Sequence, residues 1–589
     1  MIEPRVYRAA FLPALVATVL AMFSLENRPR PLPQGLAADV LFDGDLAGGS
    51  ARALARDHPD RRPGRPGDED TANQVASTLG RRGFAIERQR FSAAGKQLEN
   101  VVGRRAGSSR RQIVVVADRD ASAVPDAAGS AADTAALLEF SRVFQGRPSR
   151  KTLVLASLDG STLGEVGADR LADTLGNPDL VDGVLVMSNL GAHRSGHAIV
   201  PWSNDSSRTG VGLQRTAAES LRQELSEPVG STSAAGQLAR LSFPVGIGAQ
   251  GVLLERGYDA LRISGSGELP PSGTGRRVDV DRLGGLGRTT LRTVTALDQG
   301  PKPQRGPGSY VIAVSQVVPG WTLSLLALTL LLPVLVATVD AFARARRRRL
   351  AVSPWLRWLG ACVAPFVAAL ALAELLALFG ATPDPPPAPV APSLHKLDLS
   401  ALAVLVGITA VTAALFVGLR RLVAATDPLL ADPAAPGAAC AVSLVLGGTV
   451  VVLWAVNPYA ALVMVPAAHL WMLATLVRPP PLRRARGLLI AGGLLPPLLV
   501  ALYYLFRLSM DPLTGAWYLL LLVTGHSVGL ITALLGCALL ALLSAVVAIA
   551  RSQPDERRRL EPEERPAVYG PGTYAGPGSL GGTESALRR

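Results

Sequence analysis

Seven long apolar runs fill the C-terminal half of this chain, at residues 318–340, 358–380, 399–418, 438–456, 458–477, 487–506 and 516–550. Runs of about 20 apolar residues match the roughly 30 Å hydrocarbon thickness of a bilayer and are too long for the helices of an ordinary water-soluble core. A further stretch, residues 9–25 (AAFLPALVATVLAMFSL), follows Arg5 and Arg8. The sequence after it lacks a small-x-small cleavage pattern, so it reads as an uncleaved signal anchor and brings the expected spans to about eight. Composition agrees, since 18% of the 589 residues are charged against about 25% in a typical globular chain. The run 516–550 reads either as one over-long span or as a run broken at the polar patch Thr524 to Ser527, and the sequence leaves both open.

The net charge of +13 does not call for nucleic acid, because much of the arginine borders apolar runs as membrane-flank charge. Placing the 344–357 loop on the cytoplasmic side puts Arg344, Arg346 to Arg349, Arg357, Arg420, Arg421, Arg478, Arg483, Arg484 and Arg486 in inner loops. The outer loops then keep only Lys396 and Arg507. This orientation predicts an extracytoplasmic segment at 26–316 and two cytoplasmic termini. Cys362, Cys440 and Cys537 all lie in apolar runs, so the polar part has neither a disulfide framework nor a Cys-ligated metal. Abundant Ala, Arg, Gly and Pro fits a GC-rich, bacterial source.

Between the anchor and the runs, QIVVVAD (112–118), TLVLAS (152–157) and GVLVMSN (183–189) alternate with helical patterns at 69–82, 131–145 and 279–297. That alternation predicts an α/β domain with a mostly parallel central sheet and flanking helices, joined to an all-α polytopic membrane bundle. Sites in such sheets form beyond the carboxyl ends of the strands, here after Ala117, Ser157 and Ser188. The domain plan is an anchor (1–25), a linker (26–60), an α/β domain (61–300), a linker (301–317), a membrane domain (318–550) and a disordered cytoplasmic tail (551–589). The proline-rich outer loop 381–393 reads as an extended linker without chemistry.

Four segments carry a family resemblance. They are RRPGRPGDEDTANQVASTLGRRGFAIERQRF (61–91) with Asn100 to Gly103, IVVVADRDAS (113–122), GSAADTAALLEFSRVF (129–144) and KTLVLASLDGSTLGEVGADRLAD (151–173). In order and spacing they resemble the M28 zinc aminopeptidases. The resemblance implies two Zn²⁺ ions held by His and carboxylates, with a Glu as general base. The positions that match those ligands hold other residues. The first His falls on Asp118, with Asp120 kept two residues later, and the bridging Asp falls on or next to Gly129. The paired glutamates fall on Ser161 and Thr162, a later Asp on Ser188, and the last His on Ser264. Hydroxyls are poor zinc ligands and cannot act as the base. A dismantled catalytic site without zinc or another cofactor is therefore expected.

Other residues offer weaker alternatives. Asp118, Asp120 and Asp133 have oxygens suited to Ca²⁺ or Mg²⁺, although solvated or helix-capping carboxylates fit the pattern better. His193 and His197 are spaced i, i+4, but flanking glycines oppose a helix. Asp159 matches a family Asp and reads as structural. Ser161 lacks a nucleophile elbow. Glu374, His469 and His526 are the intramembrane polar candidates, with Asp340 and Asp511 near span ends. An anchor, an M28-like ectodomain and a polytopic bundle also make a plan similar to the Gaa1 subunits of glycosylphosphatidylinositol transamidase, which are noncatalytic scaffolds. Three functions follow: an inactive binding or scaffold subunit for peptide or protein ligands, an active metallopeptidase with another metal set, or a transporter or lipid-handling bundle. Expected partners are membrane lipids, a peptide or protein in the cleft, and other membrane subunits.

Overall fold

The computed structural model describes residues 4–33, 41–226, 232–271, 277–427, 430, 432–477 and 479–553. The expected disordered tail lies almost wholly outside the described residues, as does Arg478. The chain starts with helices α1 (Pro4–Ala9) and α2 (Leu12–Phe23) and strand β1 (Glu26–Asn27). Next come α3 (Gly44–Asp57), α4 (Pro66–Arg81), β2 (Ala85–Ala93), β3 (Lys96–Arg105), β4 (Ser109–Asp118), α5 (Ser130–Phe144) and β5 (Lys151–Leu158). The α/β half continues through α6 (Val166–Leu175), β6 (Val181–Ser188), β7 (Ile199–Val200), α7 (Val211–Leu225), α8 (Ala234–Ser242), α9 (Ala249–Glu255), β8 (Ala260–Ser264) and α10 (Val280–Gln299).

Its seven-stranded mixed sheet has the order β2-β3-β5-β4-β6-β8-β7. The four central strands are parallel, while β2, β3 and β7 add antiparallel edges. Strand β4 is apolar without interruption because both of its faces are covered. Ile113, Val115 and Ala117 enter one core layer, and Val114 and Val116 enter the other. The parallel register sets Asp118 opposite Leu158 and Ser188 opposite Ser264. The carboxyl ends of four strands thus meet on one side of the sheet.

Two segments expected as linkers are structured. Within 26–60, Asp43 caps α3, which buries Ala47, Ala51 and Leu54 in the main core. Within 301–317, β9 (Tyr310–Ala313) pairs with β10 (Gln316–Pro319), and β10 pairs with β1. The chain's exit from α2 and its entry into the bundle are therefore tied in one small sheet. Hydrophobic burial on α3 and backbone pairing on β10 outweigh the turn-rich composition that suggested linkers.

The second half is helical: α11 (Gly320–Arg347), α12 (Ser353–Leu378), α13 (Leu399–Thr426), α14 (Pro436–Val456), α15 (Pro458–Leu476), α16 (Arg483–Arg507), α17 (Pro512–Thr524) and α18 (Leu530–Ser552). With the N-terminal segment Arg5–Phe23, eight described helices are long and apolar enough to cross a membrane. The over-long run 516–550 is not one span, because the chain turns at Gly525 to Gly529. At 1.5 Å per residue, the 13 residues of α17 reach only about 20 Å, short of the bilayer core.

The two halves dock. Val245 and Ile247 of the α/β half pack with Tyr504, Leu508, Tyr518 and Leu522 of the helical half. Asn457, between α14 and α15, donates from Nδ2 to the Leu241 carbonyl at 2.9 Å.

Candidate functional site

The loops at the carboxyl ends of the parallel strands enclose a cavity of about 80 Å³, room for a few waters or one ammonium-sized group. Asp118, Asp120, Asp126, Asp133, Glu165 and Glu268 line it, and Arg262 is the one cation among its lining residues. Of the two states expected for Asp118, Asp120 and Asp133, solvated or helix-capping, solvation does not hold for Asp120 and Asp133, which are 2% and 1% exposed. Asp118 is half-buried, and its Oδ1 is buried without a hydrogen-bond partner among the described residues. Sheet packing and an overlying loop remove water that spacing alone cannot reveal.

Backbone donors hold two of these acids. Asp120 accepts from Ser161 N at 2.9 Å, Thr162 N at 3.1 Å and Thr162 Oγ1 at 3.0 Å. Asp133, in the first turn of α5, accepts from Asn189 N at 2.7 Å and Leu190 N at 2.9 Å. Burial nevertheless raises the proton affinity of both. It also raises Glu165 well above the usual glutamate range, with Asp118 and Asp120 adding repulsion. Burial and then Asp120 push Asp118 up to about 7 against the pull of Arg262. Glu165 stands in the left-handed backbone region, at φ 57°, a conformation costly for a non-glycine residue.

The remaining family-matched positions are filled in other ways. Gly129 faces the Asp126 carboxylate, which bonds Ser130 N at 3.1 Å and Ser130 Oγ at 2.9 Å. Arg262 donates to Ser188 Oγ at 2.7 Å and to the Ile247 carbonyl at 2.9 Å. Ser264 is buried beside Ser188 but is not part of the cavity lining. Asp159 accepts from Glu99 N at 3.1 Å and pairs with Arg119 at 3.5 Å, and burial followed by Asp68 pushes it up to about 8. Arg119, fully buried, is gripped by Asp68 at 2.9 and 2.8 Å. Among the described residues, no group of three or more His, Cys, Asp or Glu side chains converges as metal ligands.

His193 and His197 do not form a pair at one site. The exposed His193 bonds Asp279 Oδ2 at 2.9 Å, whereas His197 lines a different cavity. In the helical half, the Tyr7 hydroxyl donates to His469 Nδ1 at 2.6 Å, and His469 Nε2 donates to the Leu330 carbonyl at 2.8 Å. This imidazole ties three helices together. His526 is exposed in the turn between α17 and α18 rather than within a helix. Glu374 is half-buried on α12, without an ion-pair partner among the described residues. Asp340 pairs with Arg344 at 2.6 Å, and Asp511 caps α17.

The proline-rich loop after α12 is a wall of the cavity rather than an idle linker. Its Val390, Ala391 and Leu394 complete the lining. The Tyr518 hydroxyl donates to the Val390 carbonyl at 2.8 Å, and Ser527 Oγ donates to the Pro387 carbonyl at 3.2 Å. Gly164, at φ 89°, lets the loop approach, since a Cβ there would stand 2.5 Å from Pro387 Cδ. Sequence reasoning also missed Glu165, Asp126, Glu268 and Arg262. Arg262 had a signal, a charge inside the apolar strand ALRIS; the others needed the tertiary contacts.

No protein-family profile and no curated sequence matches this chain. Solved structures similar to its N-terminal half include a Bacillus subtilis zinc aminopeptidase, at 12% identity and TM-score 0.36 over 47% of this chain and 99% of that one. A Fimbriiglobus ruber glutaminyl cyclase is 16% identical at TM-score 0.34, over 46% and 99%. LapB of Legionella pneumophila is 14% identical at TM-score 0.39, over 49% and 81%.

Proposed function

We propose that this membrane protein is a noncatalytic binding or scaffold subunit, with an extracytoplasmic α/β domain that holds a peptide or protein ligand, lipid-linked ligands included, through the acidic cavity. The observation that carries the reading is the donor set. Asp120 and Asp133 spend their oxygens on backbone N–H groups, Asp126 occupies the space beside Gly129, and the Arg262 guanidinium lies where Ser188 replaces a carboxylate. A guanidinium beside the site repels a second cation such as Zn²⁺, and serines cannot replace its ligands. These residues do not fit a two-zinc centre.

The cavity's surplus of carboxyl groups with raised proton affinity favours a cationic group of matching size. An ammonium at the end of a chain or on a lysine offers three donors to Asp118 and Glu165. The loop from the helical half would couple occupancy to the bundle. The test is elemental analysis of the full chain in detergent, aminopeptidase turnover with added Zn²⁺, Mn²⁺ and Co²⁺, and binding of one peptide with a free or acetylated amino terminus. The expected result is no turnover and tighter binding of the free amine. One or two tightly held metals per chain with turnover would restore the hydrolase.

A further inference from the structure

A second cavity, of about 600 Å³, lies where the α/β half meets the helices and shares only Glu268 with the lining of the acidic one. Arg28, Arg208, Arg215, Arg222 and Arg507 line it. Two carboxylates face them, and both are engaged: Glu219 with Arg222 at 2.6 Å, and Glu268 with Arg240 and with Arg507 at 3.0 Å. Arg28, Arg208 and Arg215 have no carboxylate at ion-pair distance among the described residues. Arg208 is 5% exposed, its guanidinium stacks 4.6 Å from the Trp202 ring centre and 4.2 Å from that of Tyr310, and its Nε has no acceptor. The buried Nε of Arg28 also lacks one. Burial and the nearby Arg215 depress the Arg28 guanidinium. Arg208 donates to Gln237 Oε1 at 2.8 Å and to the Tyr310 carbonyl at 3.1 Å, and so is hydrogen-bonded but has no counter-ion, while Arg28 and Arg215 are half-buried. Like charges gathered without counter-ions favour an anion, and planar guanidinium forks suit phosphate oxygens.

Position indicates the source of the anion. Arg28 follows the end of α2 at Phe23 by five residues, Val314 precedes α11 by six, and Arg507 ends α16. Exposed apolar residues border the same level: Phe23 is 85% exposed, Val314 fully exposed and Phe506 81%. We infer that this arginine-lined cavity binds the phosphate headgroup of an anionic lipid, with the acyl chains lying along these apolar residues.

The test uses the purified full chain in non-ionic detergent, with dihexanoyl phosphatidylglycerol, dihexanoyl phosphatidylcholine and inorganic phosphate as probes. Binding is read by calorimetry and by the ligand-induced rise in melting temperature. Saturable binding of phosphatidylglycerol, about tenfold or more tighter than phosphatidylcholine or phosphate, is expected. Arg28→Gln should weaken it by about tenfold while leaving the ligand-free melting temperature unchanged or higher, because it relieves repulsion. Arg215→Gln supplies an independent second variant. Phosphate binding as tightly as the lipid would overturn the lipid source in favour of a soluble anion. Equal binding of both lipids, or unchanged affinity in both variants, would overturn the site.

Discussion

Adding one methyl group at Gly129 tests whether the cleft has been rebuilt around its present residues. A Cβ there would stand 2.3 Å from Asp126 Oδ1 and 2.8 Å from its Cγ. Asp126 is 2% exposed, its carboxylate accepts two hydrogen bonds from Ser130, and its carbonyl accepts one from Arg61 Nη2 at 3.3 Å. Overpacking a dense interior costs about 1–3 kcal/mol, and losing one hydrogen bond to a charged group adds about 1.5–3 kcal/mol. Gly129→Ala should therefore destabilise the α/β half by about 3–5 kcal/mol, or roughly 6–15 °C in melting temperature. Differential scanning fluorimetry of the full chain measures the shift, and hydrogen exchange over residues 126–144 localises it. Asp126→Ala removes the obstructing carboxylate, so the double variant should be more stable than the two single losses predict, by about 1 kcal/mol or more. A Gly129→Ala protein melting within about 2 °C of the parent, or strictly additive losses, would refute the reasoning. On the same grounds, Gly129→Asp alone should not restore a metal-bridging carboxylate.

Asp118 titrates near 7 when folded against an ordinary 3.8; its stabilising contribution is complete below the ordinary value and is lost as pH rises through 7. The melting temperature should fall as pH rises from about 4 to 7 and level off above that, and Asp118→Asn should flatten this fall, which integrates to on the order of 4 kcal/mol at most; a parallel profile would count against the acidic cluster. Asp68→Ala leaves the buried Arg119 with Asp159 at 3.5 Å as its remaining carboxylate and the Glu99 carbonyl at 2.7 Å as an uncharged acceptor, and should cost about 3–5 kcal/mol in thermal unfolding. Tyr518→Phe leaves the buried Val390 carbonyl without its donor, and should loosen the loop by about 1–3 kcal/mol, seen as faster hydrogen exchange over 386–394 with little change in the sheet.

The membrane spans and the central strands were legible in the sequence because each depends on a local property. A span needs about 20 apolar residues in succession, and a strand covered on both faces needs a short β-branched run, as at 113–116. The break in 516–550 had its mark in Thr524 to Ser527. The strand ends that build the site followed from the α/β pattern, and Asp118, Asp120, Ser161, Thr162 and Ser188 do meet in one cavity.

Burial and pairing lie beyond that local reading. Asp120 and Asp133 look like surface carboxylates until the sheet register brings Thr162 and Asn189 to them. Gly129 looks like a lost ligand until Asp126 is seen filling the space next to it. The proline-rich loop looks like a spacer until Tyr518, 128 residues away, fixes it over the cavity. The arginine cavity gathers Arg28, Arg208 and Arg507 from three distant segments, none of them near the others in the chain. Sequence by itself determined which segments form long apolar helices and which form the sheet, because those choices depend on neighbouring residues. Tertiary structure decided which charges lose water and what stands beside them, because desolvation and Coulomb energy depend on distance in space.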